Sequence, residues 1–208
     1  MNLEEINLSN PGILCSKMPT DIFQELKQSC QFQIDNKDIA YNLKRTMAYD
    51  FSVQGIKESI TANIPLSYRK YLENFAKDYY EYYNLSNNDF EPRILSTWLN
   101  LQKRYEYRPL HLHPHQGLSF VTYISIPYDI QDEDNYENHS KKATVNRNGR
   151  IEFFYNSFTG TQQQKVINID KSFEGKTIMF LGSLVHVVYP FYTSEEFRIS
   201  LAGNISQI

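Results

Sequence analysis

The spacing of apolar positions changes once along the chain. Tyr68, Leu72, Phe75, Tyr79 and Tyr82 step by four and three, with Arg69, Lys70, Glu73, Lys77 and Asp78 between them. This period predicts an amphipathic helix laid on a sheet. An earlier helix is predicted after Pro19. There Asp21 and Gln24 have the spacing of a capping box, and Ile22, Phe23, Leu26 and Cys30 share one helical face. Residues 36–64 read as a mixed connection. The stretch 84–92 (NLSNNDFEP) reads as a turn-rich boundary.

After Pro92 the period falls to two. Across 94–104, Trp98, Asn100 and Gln102 lie on one side, and Leu99 and Leu101 on the other. Further strands are predicted at 118–126, 151–155, 166–169, 177–181, 185–189 and 197–205. Two helices followed by seven short strands predict a mainly β fold of the α+β class, a sandwich or double-sheet jelly roll. In this reading residues 1–90 are a helical extension packed on one sheet, and 91–208 form the β core. The stretch 128–150 is polar throughout and reads as a long surface loop, a candidate lid over a substrate site that orders when substrate binds.

Composition narrows the function classes. The 208 residues are 41% hydrophobic and 22% charged, enough to bury a core and too apolar for global disorder. Lys and Arg number 21 against 24 Asp and Glu, a net charge of −3, which argues against a protein that binds nucleic acid by covering phosphates. No apolar run reaches the ~18 residues of a membrane span. The opening MNLEEINLSN is polar and acidic, unlike a signal peptide. Cys15 and Cys30 have neither metal-site nor disulfide-framework spacing, and inert thiols in a reducing cytoplasm are expected.

Histidine carries the candidate chemistry. Three of the five histidines, His111, His113 and His115, fall within five residues; the others are His139 and His186. A His-x-His pair in a strand turns both imidazoles to one face. His186 sits in the apolar run Leu184-Val185-His186-Val187-Val188, where a histidine is costly unless its nitrogens are satisfied. Two strands meeting in a barrel would present a three-ligand facial site of the kind that suits non-haem Fe(II). The pair is either His111 with His113 or His113 with His115. His139, in the polar stretch, reads as a solvated side chain. Further on, Arg198, Ser200, Ala202 and Asn204 share one strand face, and an Arg and a Ser there would suit a carboxylate.

These segments resemble a family. His-x-His before a strand, a distal His, and Arg-x-Ser on a terminal strand look like the 2-oxoglutarate- and Fe(II)-dependent oxygenases. The resemblance is strongest to a prolyl-hydroxylase-like branch common in phage and marine bacterial genomes. It rests on Trp98-Leu99-Asn100, on HLHPHQGLSFVTYISIP and on EGKTIMFLGSLVHVVYPFYTSEEFRISLAGNI, and spans roughly residues 93–206. It implies a double-stranded β-helix (the cupin-like jelly roll) with iron at one mouth. It further implies that His186 is the distal ligand, and family spacing favours His111 and His113 as the proximal pair. Arg198 would bind the far carboxylate of 2-oxoglutarate, with Ser200 assisting and Tyr123 reaching the same group. Asn100 and Asn204 would line the pocket. The sequence departs from most relatives in having no Asp or Glu two residues after a clustered histidine.

The implied reaction consumes O2 and 2-oxoglutarate, releases succinate and CO2, and hydroxylates a prime substrate, with a peptide or small molecule favoured and a nucleic acid disfavoured. The expected location is the cytoplasm of a bacterium or phage-infected cell. Two other classes are compatible with the residues alone: a three-histidine cupin-type metalloenzyme that does not use 2-oxoglutarate, and a non-catalytic jelly-roll binding or virion-associated module. Sequence does not set the oligomeric state.

Overall fold

In the computed structural model, residues 12–36, 58–85, 91–113, 117–137, 145–157 and 159–207 are described. The elements run β1 (Leu14–Lys17), α1 (Thr20–Asp35), β2 (Glu58–Thr61), α2 (Leu66–Tyr82), β3 (Pro92–Gln102), β4 (Arg108–His111) and β5 (Leu118–Ser125). A short helix α3 (Ile130–Asn135) follows, then β6 (Arg150–Asn156), β7 (Gln162–Asn168), β8 (Lys176–Leu181), β9 (Val185–Val188) and β10 (Arg198–Gln207).

Alternation along each strand builds two layers. The larger sheet has the order β1-β8-β5-β10-β3-β2, the smaller β4-β9-β6-β7. On the larger sheet Leu99, Leu101, Leu118, Phe120, Met179 and Leu201 pack with Leu26, Cys30, Tyr68, Leu72, Phe75 and Tyr79 of the two helices. Each such aliphatic side chain, once buried, is worth roughly 1.5–3 kcal/mol. The opposite face of the larger sheet looks at the smaller one. There Tyr123, Ile151, Phe153, Ile178 and Phe180 form a second core, of which Tyr123, Ile151 and Phe180 also line a cavity. The mainly β, jelly-roll reading therefore holds, with α1 and α2 on the outer face of the larger sheet.

Several local expectations change. The Asp21–Gln24 capping box does not form: α1 starts after Pro19 without a side-chain cap. Tyr82 is 69% exposed; the stripe on α2 is completed instead by Ala76 and Tyr80, and Tyr83 packs against the same core. Tyr82 falls at the rim of the face centred on Leu72, Ala76, Tyr79 and Tyr83, so it turns to solvent while its neighbours pack on the core. Strand β3 stops at Gln102, where residues 103–106 turn back on themselves, Glu106 N–H donating to the Lys103 carbonyl at 3.2 Å. Strands β1 and β2 come from the N-terminal third and form the two edges of the larger sheet, and β4 is a further short strand. At four residues each, they are too short to show a period.

The 128–150 stretch is not a free polar loop at either end. Tyr128, Glu133, Asn148 and Arg150 are all buried, Glu133 completely. Residues 138–144, including His139, lie outside the described residues, as do residues 37–57 of the predicted connection and 86–90 of the predicted boundary. Both cysteines are free thiols, Cys15 exposed and Cys30 buried. No helix among the described residues is long and apolar enough to cross a membrane.

Candidate metal and co-substrate site

Cross-strand register brings the histidines together. β4 pairs with β9 so that His111 lies directly opposite His186. Just past the end of β4, the chain is tied to the β8–β9 turn by His113 N–H donating to the Gly182 carbonyl at 2.7 Å. His111, His113 and His186 each offer a ring nitrogen within 4.8 Å of the others. Their ring centroids are 4.1 Å apart for His111 and His186, 5.4 Å for His111 and His113, and 5.6 Å for His113 and His186. His115, the alternative partner, lies outside the described residues.

Hydrogen bonds set the tautomers. His111 Nδ1 faces the Pro109 carbonyl at 2.7 Å and His186 Nδ1 the Leu184 carbonyl at 2.9 Å. A carbonyl only accepts, so Nδ1 carries the proton and Nε2 keeps its lone pair. His113 Nδ1 meets Asn204 Oδ1 at 2.7 Å, and Ser119 Oγ, which donates to the same oxygen, stands 3.1 Å away. Asn204 is held in turn by its Nδ2 donating to Ser96 Oγ at 3.2 Å. Phe153 and Phe180 pack on the His186 ring, and Trp98 on that of His113. Burial is the main force holding all three imidazoles below their usual pKa. His111 comes down to about 4, with the Arg108 and His113 charges adding, and His186 to about 3, with His111 adding. His113 is lowered by burial and by Arg108. All three are neutral at pH 7, the state in which imidazole binds a metal. Neutral, oriented nitrogens on three sides of one point suit a divalent transition metal.

The first residue of β10, Arg198, is 2% exposed and lines the same cavity from its other end. Its Nε donates to Gln102 Oε1 at 3.2 Å, and Nη2 donates to that same oxygen and to the Tyr189 carbonyl at 3.0 Å. Nη1 donates to Tyr128 Oη at 2.5 Å and to the Gly149 carbonyl at 3.4 Å. Gln102 Oε1 thus sits on the two-pronged Nε–Nη2 edge, the edge that best matches a carboxylate. Tyr128 stacks on Phe191 and, with it, flanks the guanidinium.

Between the two ends the walls carry Asn100, Ser200, Tyr123, Trp98, Phe120, Val121, Phe180 and Val188. Of the residues singled out from sequence, His111, His113, His186, Arg198, Ser200, Tyr123 and Asn100 line this one cavity. Asn204 stands behind His113 and touches its far nitrogen. Sequence reasoning passed over Gln102, Tyr128 and Arg108. Gln102 was already on the Trp98–Asn100 face. Arg108 lies three positions before His111, which in a regular strand would put it on the opposite face. A register shift between Arg108 and His111 adds one residue on β4, so both turn inward.

The comparisons agree with this geometry. The family model described as "Putative 2OG-Fe(II) oxygenase" matches residues 96–204, just over half of the chain. No curated protein sequence matches. Among solved structures, a Pseudomonas putida prolyl-4-hydroxylase is similar at TM-score 0.55 and 15% identity, over 95% of this chain and 93% of that one. AviO1 from Streptomyces viridochromogenes Tue57 is similar at TM-score 0.54 and 13% identity, over 95% and 90%. SnoK, a non-heme alpha ketoglutarate dependent carbocyclase from nogalamycin biosynthesis, is similar at TM-score 0.57 and 7% identity, over 94% and 79%. At these identities the three structures speak for a shared fold. The family match spans β3 to β10 and takes in all three converging imidazoles and Arg198, and with it the chain belongs to the 2OG-Fe(II) oxygenase family.

Proposed function

We propose that this chain is a hydroxylase that couples conversion of 2-oxoglutarate and O2 to succinate and CO2 with hydroxylation of a C–H bond in a peptide or small molecule. One observation carries the reading. A single cavity holds three oriented imidazoles at one end and a buried guanidinium at the other. His111, His113 and His186 are the residues that would hold Fe(II), which with 2-oxoglutarate supplies the oxidising chemistry. The protein supplies orientation. The Pro109 and Leu184 carbonyls and the Asn204 amide aim the three rings.

Arg198 would take the far carboxylate of 2-oxoglutarate on the edge where Gln102 Oε1 sits. A carboxylate replaces a neutral amide there because both its oxygens accept and both carry charge. Ser200 and Tyr123 would offer hydroxyls to the same carboxylate, and Asn100 a polar wall. Val121, Phe180 and Val188 line the walls between the two ends and keep that stretch apolar.

Anaerobic titration of the Fe(II) protein with 2-oxoglutarate tests the reading, a charge-transfer band in the visible being the expected result. Arg198→Ala should keep Fe(II) and lose about 2–5 kcal/mol of 2-oxoglutarate binding, roughly one to three decades. Unchanged affinity in a folded variant would remove Arg198 from the co-substrate site. His113→Ala and His186→Ala should each lose Fe(II), and comparing His111→Ala with His115→Ala decides the register. Iron binding with no band at any 2-oxoglutarate concentration would point to metal chemistry without this co-substrate.

A further inference from the structure

The smaller sheet runs on past the imidazoles. Strand β6 starts beside Arg198, whose Nη1 donates to the Gly149 carbonyl at 3.4 Å. Further along it Phe153 stands opposite His186 and packs on its ring. The next position on that face is Tyr155, two residues or about 7 Å beyond. On β7, Lys165 lies opposite Phe153 and Gln163 opposite Tyr155. Residues directly opposite in an antiparallel pair share a face, so Tyr155, Gln163 and Lys165 turn to the same side as His186. Nearer Arg198 that face is apolar, with Ile151 opposite Ile167 in the core between the sheets. Past the imidazoles it is open: Tyr155 is 41% exposed, and Gln163 and Lys165 are exposed as well. The result is a ledge beside the three histidines that carries an aromatic ring, an amide and an ammonium.

Reach decides what could use this ledge. Lys165 is two strands from His186, roughly 10 Å at the usual strand spacing. A single amino acid or a small organic acid with its reacting carbon at the imidazoles ends short of that. An extended peptide covers the distance in about three residues. Gln163 suits a peptide backbone, because its amide both donates and accepts. Among the described residues no carboxylate pairs with Lys165, which leaves its charge for a partner from outside.

We infer that the prime substrate is a peptide, and that Tyr155 and Lys165 select it. The Tyr155 ring covers a side chain next to the reacting residue, and Lys165 pairs with an acidic side chain about two or three residues away. This rests on the hydroxylase function proposed above and narrows its substrate to a peptide with an acidic flank.

The probe is a phage-displayed library of random dodecapeptides, selected anaerobically on the Fe(II) protein saturated with 2-oxoglutarate. Wild type should enrich Asp or Glu at one fixed offset from a shared central residue. In calorimetry, a synthetic copy of the leading peptide should bind about two- to five-fold tighter than a copy with Gln in place of that acid, the value of an exposed ion pair. Lys165→Glu should reverse the preference, so that a copy with Lys at that position binds better than the acid. Tyr155→Ala should weaken the acid and Gln copies equally, by roughly ten-fold, the value of about 60 Å² of apolar surface kept from water. Neither residue lines the cavity, so both variants should show the wild-type visible band with 2-oxoglutarate. A wild type that shows the band and enriches no peptide would overturn the assignment. So would a leading peptide that binds wild type, Tyr155→Ala and Lys165→Glu alike. A wild type without the band would sink the hydroxylase reading and this one with it, so the band separates the two failures.

Discussion

At the residue scale, the site depends on what stands behind each imidazole. His111 and His186 lean on backbone carbonyls, which no side-chain substitution removes. His113 leans on a side chain, Asn204. Asn204→Ala should therefore lower Fe(II) affinity by about 10–100-fold, the usual effect of losing such a partner, while Asn204→Asp should retain or strengthen it. Competition with a chelator under anaerobic conditions gives the number, and an unchanged value for the Ala variant would show that Asn204 does not orient the ring. Gln102 offers a second test. Its amide oxygen holds the Nε–Nη2 edge of Arg198. Gln102→Glu would place a permanent carboxylate on that edge, and 2-oxoglutarate binding should weaken by roughly ten-fold or more, the value of a charge-assisted pair. If Gln102→Glu binds 2-oxoglutarate as wild type does, the co-substrate carboxylate goes elsewhere.

At the scale of elements, α3 works as a clasp. It has six residues and no side-chain N-cap. It is held by the Glu133 carboxylate, which accepts from Tyr192 N–H at 3.0 Å, Thr193 N–H at 2.8 Å and Thr193 Oγ1 at 2.6 Å. Behind it Asn148 donates to the Glu133 carbonyl at 3.1 Å, and Arg150 Nη2 pairs with both oxygens of Asp134 at 2.7 and 2.9 Å. The same segment delivers Tyr128 and the Gly149 carbonyl to Arg198. Glu133→Ala leaves two backbone N–H groups without their acceptor, at about 1–3 kcal/mol for each that stays buried. The melting temperature should fall by about 2–4 °C for every kcal/mol lost, with a smaller fall for Glu133→Gln. An unchanged melting temperature would mean the clasp is dispensable. Replacing 131–148 with a Gly/Ser link should destabilise the whole fold for the same reason, where a detached lid would leave stability untouched.

At the scale of the whole molecule, the helix–sheet interface and the core between the sheets are rich in buried hydroxyls. Tyr68, Tyr79, Tyr123 and Tyr128 are each 2% exposed or less. Burial pushes all four well above the usual tyrosine range, and it pushes the Cys30 thiol up to about 12. In the unfolded chain these groups lose their protons near ~8.5 for the thiol and ~10 for the phenols. Above those values the unfolded state binds fewer protons than the folded one, so stability falls as pH rises. Urea midpoints should be level between pH 7 and 8 and drop clearly by pH 10.5, with the slope of the transition unchanged. A midpoint that holds to pH 10.5 would show that these groups ionise equally easily in both states.

Local periodicity determined which way most of the site points. The two-residue repeat puts Trp98, Asn100 and Gln102 on one face of β3 and Arg198, Ser200 and Ala202 on one face of β10, and these are the faces that line the cavity. The helical stripe on α2 likewise anticipates the core under the larger sheet. Such patterns are legible because a side chain's direction follows from its own strand or helix. Partners across the fold are not legible in that way. Arg198 meets Gln102 across 96 residues of chain and Tyr128 across 70, and His113 meets Asn204 across 91. Glu133, in a stretch that reads as solvated, is buried because the backbone at Tyr192 and Thr193 supplies its donors. Arg108 enters the cavity only because β4 carries one extra residue against β9. A register shift is set by which strands pair and where, and the chain records that pairing only once it has folded.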